Sequence, residues 1–408
     1  MVLPMALSNA YGQAASSAPK VTISGFGSAA LTFTDTNEAE FARPNQASGA
    51  RKSPRTGVDS NFGVQANVVV NDWLSATAQG LVRKDGADDF GAELAWAFVK
   101  AKLSSDLSVR VGRMGLPVFM ISDYRNVGYA NTMLRPPVEM YAQVPMNSID
   151  GVDVTWQRSF GDTTVSAQLA LGSSSSDASS ASGVSHLRTS SLRALNLVAE
   201  HGPLTLRLGR AEGKLTVNDS ASMNTLLSSL RATGAGYGFP TLAPLADALS
   251  LQKKNASFTS AGMTLDWNNL LLQGEYAKRK TDSWVNDTNS WYLMAGYRIG
   301  KFLPYVNHAT TKSVGRVANT VPGACPPGYP AACTPTLRAL SAGVELLSTP
   351  VNQSSDSIGV RWDLHSSAAL KVQIDRVRPS GNAGLLLKAA PGFTGPVTVG
   401  AVSLDFVF

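Results

Sequence analysis

Charge is scarce in this sequence, cysteine nearly absent, and long apolar runs are missing altogether. Only 16% of the 408 residues are charged, against about 25% in soluble globular proteins. Although 44% of residues are apolar, no uninterrupted stretch approaches the ~20 residues a helix needs to cross a bilayer, so helical spanning is excluded. The net charge of +6 comes from basic residues scattered singly. Nothing resembles a nucleic-acid patch, and no nucleic acid is expected as a partner. Zinc-type Cys/His spacings and nucleotide-binding loops are missing too, so no metal and no cofactor is expected. The four histidines, His186, His201, His308 and His365, sit in no catalytic motif. Only His365 shares a predicted face with a carboxylate, Asp363, which leaves enzymatic chemistry without the residues it requires.

The two cysteines, Cys325 and Cys333, lie together in the segment CPPGYPAAC. Two cysteines in a short Pro/Gly-rich stretch read as a disulfide formed in an oxidising compartment, the alternative being two unlinked thiols. Residues 1–18 are small, apolar and free of acidic side chains. They look like the back half of a secretory signal, with small-residue cleavage sites near Ala10 or Ala14 but no basic start. The remainder, 19–408, is expected to form one folded unit.

What is abundant is alternation. Val402, Leu404, Phe406 and Phe408 alternate with Ser403, Asp405 and Val407. Leu204, Leu206 and Leu208 alternate with Thr205, Arg207 and Gly209, and Leu370, Val372 and Ile374 with Lys371, Gln373 and Asp375. Period two with one apolar face predicts strands. The predicted strands are 20–34, 58–70, 73–85, 90–103, 107–113, 149–160, 162–172 and 189–201. The second half continues with 203–212, 255–267, 269–280, 289–299, 301–312, 354–366, 367–378 and 397–408. That makes about 16 strands, and no helical region is visible. The SSSSDASSASG tract reads as a flexible loop.

Composition alone leaves a soluble β protein open, but the connections do not. Short turns, such as Asn71-Asp72, Gly161, Gly202 and Gly300, alternate with longer links, including 35–57, 114–148, 173–188, 213–254, 313–353 and 379–396. Short turns at one end and long loops at the other are the pattern of a transmembrane antiparallel β-barrel with long extracellular loops. In lipid, backbone groups find no water, so the sheet must close on itself without an edge. The seven tryptophans fall mostly near predicted strand ends, as in the aromatic belts of membrane interfaces.

Family resemblance enters with four segments. The closing AVSLDFVF, ending on Phe408, resembles the C-terminal strand of Gram-negative outer-membrane proteins, which implies the barrel-assembly machinery as a partner. The opening VTISGFGSAALTF, SVRVGRM before a long loop, and LRPPVEMY within it resemble the general trimeric, 16-stranded porins. The resemblance covers nearly the whole chain from about residue 20. It implies an outer-membrane location in contact with lipid and lipopolysaccharide, a homotrimer, and a passive channel for small hydrophilic solutes. It also implies that the third loop folds inward.

A lumen of this width needs such a constriction. The loop 114–148 carries Asp123, Tyr124, Arg125, Tyr129, Arg135, Glu139 and Tyr141. Alternation places Arg110, Arg207, Arg361, Asp363, Lys371 and Asp375 on inward faces, with Arg193 and Arg298 less certainly so. Charges facing lipid near the midplane cost about 2–4 kcal/mol each. Arg113 is out of phase with Arg110 and is read as the root of the third loop. The excess of Arg and Lys predicts a mild anion preference. A porin specific for phosphate, sulfate or an organic acid is the main alternative, and a barrel enzyme a remote one. An energy-coupled transporter needs a plug and about 22 strands, too many for this length.

Overall fold

The computed structural model describes residues 19–408, apart from 181–182, 219 and 381–382. The expected signal segment therefore lies outside the described residues. Sixteen strands form the wall. The first eight are β1 (Lys20–Thr34), β2 (Asn61–Val69), β3 (Leu74–Lys84), β4 (Phe90–Lys102), β5 (Leu107–Gly115), β6 (Ser148–Phe160), β7 (Thr163–Ser180) and β8 (Gly183–His201). The others are β9 (Leu204–Val217), β10 (Lys254–Trp267), β11 (Leu270–Thr281), β12 (Asp287–Tyr297), β13 (Phe302–Gly315), β14 (Asn352–His365), β15 (Ala368–Ser380) and β16 (Val397–Val407). Each pairs with its sequence neighbours, and β1 pairs antiparallel with β16, so the barrel is closed. Phe408 completes the seam by exchanging two backbone hydrogen bonds with Gly25, at 2.9 and 3.0 Å.

Facing follows the alternation. Ile23, Phe62, Leu94, Val111, Leu208, Val306 and Ile358 are exposed on the outside, where hydrocarbon is the solvent. The inward positions between them are largely polar or small. Trp73, Trp267, Trp291 and Trp362 are exposed near the two rims, as the belt reading expects. Trp96 does not belong to a belt, because it stands on the inward face opposite Gln79. Trp284 instead packs against a cluster of helices.

Those helices correct the sequence reading. The link between β9 and β10 folds into α2 (Ala221–Tyr237) and α3 (Leu242–Leu249), and the link between β13 and β14 into α4 (Cys333–Leu347). Ser220 caps α2 by accepting the Met223 N–H, and Gly238 ends it in the left-handed region at φ 73°, a conformation that glycine adopts without penalty. Met223, Leu227 and Leu230 bury against Leu242, Leu245, Leu249, Leu337 and Val344. The short helices hold because this shared apolar core covers one face of each. Cys325 and Cys333 are joined in a disulfide, Cα–Cα 6.1 Å, at the start of α4.

The serine-rich tract is also corrected. It is strand as far as Ser180, paired with β8 from Ser174↔Thr189 onward. Serine favours turns in isolation, but here the partner strand β8 supplies ladder bonds along the tract.

Candidate pore constriction

Between β5 and β6 the chain does not cross the rim. Residues 116–147 fold into the barrel and include a 3-10 turn at Gly128–Ala130 and one short α-helix, α1 (Val138–Tyr141). One side of this loop is apolar. Leu116, Val118, Phe119, Ile121, Met133 and Met140 are buried against inward residues such as Phe258, Tyr292 and Met294. The Phe119 ring lies 4.6 Å from Tyr141 and 5.2 Å from Phe258, centroid to centroid.

Charged side chains from the wall then tie the loop down. Arg135, only 3% exposed, reaches Asp375 at 2.8 Å and Asp59 at 2.9 Å. Glu275 accepts bonds from the hydroxyl of Tyr141, the hydroxyl of Tyr292 (3.0 Å) and the Met120 N–H (2.8 Å). Arg207 donates to the carbonyls of Pro117 (2.7 Å) and Val118 (3.0 Å). Lys371 donates to the Gly128 carbonyl at 2.7 Å and pairs with Asp405 at 2.9 Å. Arg361 donates to the carbonyls of Tyr129 (2.6 Å) and Asn131 (2.9 Å). Glu139 accepts from Gln353 at 2.8 Å, and burial raises its carboxyl pKa. Buried ion pairs do little for stability as such, but removing one partner leaves an unpaired charge and costs about 3–5 kcal/mol. The loop is therefore fixed rather than hinged.

Its other side faces open space. Asp123 and Tyr124 are exposed inside the barrel, Tyr124 by 38%. A cavity of about 300 Å³ lies there, and Arg83, Glu93, Trp96, Asp123 and Arg125 are among its lining residues. Arg125 has a buried Nη2 without a protein partner. Burial, then the like charges of Arg83 and Arg43, lower its pKa to about 9. Lower on the same wall, Arg110 grips Asp153 through Nε (2.9 Å) and Nη2 (2.5 Å) and lies 5.1 Å over the Phe98 ring.

A model of the Gram-negative porin family matches residues 4–382. The chain belongs to the Gram-negative porin family. It is accordingly a passive channel of the bacterial outer membrane. Among solved structures, the porin resembles the anion-selective porin from Comamonas acidovorans at TM-score 0.55 and 14% identity, covering 96% of this chain and 100% of that one. OmpF of Salmonella typhi, solved with daunomycin, gives TM-score 0.53 and 12% identity over 95% and 97% of the two chains. The trimer form of in-vitro folded OmpT of Vibrio cholerae gives 0.52 and 14% over 96% and 100%. At such identities the likeness establishes the fold. No curated protein sequence matches the porin.

The residues expected at the constriction separate into three groups. Asp123, Tyr124, Arg125 and the partly exposed Arg110 face the open lumen. Asp363 is 46% exposed beside Arg361, 2.8 Å away, near the short-turn end of β14. In contrast, Arg135, Glu139, Tyr141, Arg207 and Lys371 are buried between loop and wall. They hold the constriction in place and do not line it. Arg113 is neither, because β5 continues to Gly115 and alternation sends Arg113 to the outer face, paired with Asp150 at 2.7 Å. Arg193 is also on the outer face, 69% exposed. Sequence reasoning missed Arg43 and Arg83. Arg83 was legible, since it continues the inward row Thr77, Gln79 and Leu81. Arg43 was not, because it lies in an irregular link.

Proposed function

We propose that the permeation path runs between the third loop and the wall of β3–β5, and that Arg43, Arg83 and Arg125 give it a mild preference for anions. The observation that carries this reading is that Arg83 and Arg125, from separate segments, line one cavity beside the loop, close enough to Arg43 for its charge to act on Arg125. Of the nearby carboxylates, Glu93 is held by Arg83 at 2.9 Å, and Asp123 and Asp85 line the same cavity. Selectivity of such a pore follows from lining charge and width alone. A general channel for small hydrophilic solutes suits this site better than a phosphate-, sulfate- or organic-acid-specific one. Arg110, Arg135 and Arg361 already have their guanidinium bonds taken up by carboxylates and carbonyls, so few charged donors remain to strip a solute of its water.

The reading is non-enzymatic. His308 bonds Asp356 on the outer face and His365 bonds Ser367 at a turn, and neither arrangement supplies an activated nucleophile. A homotrimer is part of the proposal, with β1–β5 as the subunit face. Most outward positions there are small or apolar, among them Ala66, Ala76, Ala78 and Gly80, with Arg113 a charged exception near the loop root. A sheet of small side chains lets another wall approach closely. The C-terminal strand ending at Phe408 is the proposed signal for the assembly machinery.

The test is planar-bilayer recording of the purified protein under a KCl gradient. Conductance in steps of three and a reversal potential on the chloride side are expected. In Arg125→Ala that potential moves toward zero. A cation-selective wild-type pore would refute the arginine assignment.

A further inference from the structure

We infer that the cavity between the third loop and the wall of β3–β5 binds a small zwitterion that carries a flat ring, of which an aromatic α-amino acid is the simplest case. The inference rests on the permeation path proposed above and names a class of solute that pauses within it.

Several aromatic rings inside this barrel are capped by a cation or by another ring. Arg110 lies 5.1 Å over Phe98, Arg135 4.8 Å over Phe41 and Arg361 4.9 Å over Tyr129. Phe119, Tyr141 and Phe258 pack on one another. Among the described residues Trp96 has neither kind of cover, and its indole stands half-buried at the edge of the cavity. A β-bulge aims it there. Trp96 lies opposite Gln79 and Leu94 opposite Gly80, so Ala95 is left without a partner. That extra residue reverses the alternation, and both Glu93 and Trp96 turn inward.

The space in front of the indole is kept open by a glycine. A Cβ on Gly115 would stand 2.8 Å from the Asp123 carboxylate and 3.5 Å from Trp96 Nε1. A carboxylate and an uncovered indole thus border one gap that a side chain at residue 115 would close.

The charge balance identifies the occupant. Most charged groups lining this cavity are already paired. Arg83 holds Glu93 at 2.9 Å, Lys84 holds Asp88 at 3.5 Å, Arg113 holds Asp150 at 2.7 Å and His186 holds Asp177 at 2.7 Å. Asp85 accepts the Ala87 N–H at 2.8 Å. Among the described residues Asp123 and Arg125 form no hydrogen bond or ion pair, with each other or with any neighbour. Arg125 Nη2 is buried without a protein partner. One free carboxylate and one free guanidinium, two residues apart on the loop, match a ligand that brings an ammonium to the first and a carboxylate to the second. A simple anion would leave Asp123 unanswered, and a simple cation would leave Arg125 unanswered. The indole supplies the third contact, because aromatic rings attract one another in offset or edge-to-face geometry. The volume of about 300 Å³ lies at the small end for ligand sites, which run from about 300 to 1,000 Å³. It suits a single amino acid better than a peptide.

The experiment is single-channel recording of the purified full chain at neutral pH, measuring how long each of four solutes interrupts the current. L-phenylalanine carries the ring and both charges. L-leucine lacks the ring, 3-phenylpropanoate lacks the ammonium and 2-phenylethylamine lacks the carboxylate. L-phenylalanine is expected to dwell about fivefold longer than leucine and about tenfold longer than either singly charged probe. Trp96→Leu should erase the difference between phenylalanine and leucine. Asp123→Asn should erase the difference between phenylalanine and phenylpropanoate. Each variant thus loses its own discrimination and keeps the other, a pattern that general damage to the loop does not produce. Wild-type dwell as long for phenylpropanoate as for phenylalanine would reduce the cavity to a plain anion site and overturn the assignment. Equal dwell for leucine, or no interruption by phenylalanine, would overturn it as well. The reversal potential of Arg125→Ala in a KCl gradient separates the two readings. A shift there without any phenylalanine dwell refutes the site and leaves the permeation path standing, whereas no shift refutes the path itself.

Discussion

Gly151 lies directly opposite Gly172, and a Cβ placed on Gly151 would stand 2.0 Å from the carbonyl oxygen of Leu171. On its other side Gly151 faces Gly112, whose φ of 132° no ordinary side chain adopts. Three strands thus bring a row of glycines together where the third loop leaves the wall. The backbones approach here more closely than side chains allow.

Gly151→Ala is therefore expected to disturb the root of the loop and not merely fill space. The obstructing atoms are backbone, so relief requires strands β6 and β7 to separate. A loss of about 1–3 kcal/mol should appear as a lower temperature for conversion to the heat-denatured band on gel electrophoresis. Gly161→Ala serves as control for glycine loss where no neighbour lies within 4 Å. Its φ of 59° adds strain of about 1 kcal/mol without any clash.

Much of this wall was legible because a membrane barrel has one simple rule. Lipid outside and water inside force alternation onto every strand, and Leu204 to Leu208 or Leu370 to Ile374 show it without interruption. The third loop was legible only as a length and a set of charges. Whether Arg135 lines the lumen or is buried depends on which side of an irregular segment meets the wall, and no period encodes that. The helices of the long links were readable in part. Met223, Leu227 and Leu230 carry helical spacing, yet the partner that buries them, α4, is about a hundred residues away in sequence. For Ser173 to Ser180, local propensity pointed the wrong way, and the strand forms because β8 is there to pair with it.

Arg135→Ala should loosen the constriction. It leaves Asp59 and Asp375 buried without their shared cation, 2.9 and 2.8 Å away in the wild type. The cost is about 3–5 kcal/mol, borne by loop docking more than by the barrel. Noisier single-channel current and faster proteolysis within 116–147 are expected, with the barrel's heat resistance little changed. A quiet, wild-type trace would show that the apolar contacts of Phe119 and Met140 suffice.

Tyr141→Phe tests the neighbouring anchor. The ring and its packing on Phe119 remain, but Glu275 loses one of three donors. Since Tyr292 and the Met120 N–H still serve the carboxylate, the expected loss is about 1–2 kcal/mol. Tyr141→Phe combined with Tyr292→Phe should cost more than the sum of the two single changes, because the double variant strips Glu275 of both hydroxyls. A thermodynamic cycle on loop proteolysis rates measures that difference.

Asp123→Asn bears on the pore's charge. Asp123 is exposed in the lumen on the same side of the loop as Arg125, and its loss removes one negative charge from the cavity that Arg83 and Arg125 line. Chloride preference should rise, read as a larger reversal potential in a tenfold KCl gradient, while conductance changes little. The shift should shrink at high salt, since the Debye length falls from about 10 Å at 0.1 M to about 3 Å at 1 M.

Reduction of Cys325–Cys333 should separate the helical cap from the barrel beneath it. The bridge closes a loop with a sequence separation of 8, for which chain-entropy estimates give a stabilisation of about 2–3 kcal/mol. That constraint acts on α4, whose Leu337 and Val344 cover α2 and α3, and not on any strand pair. Trypsin should then cut after Arg338 faster in reductant, or in Cys325→Ser, than in the oxidised protein. Barrel strands retain closed hydrogen-bond ladders regardless of the thiols, so the heat-denaturation temperature and the conductance should both stay fixed. If conductance changes with the redox state instead, the cap reaches over the mouth of the pore and its packing sets the width of the entrance.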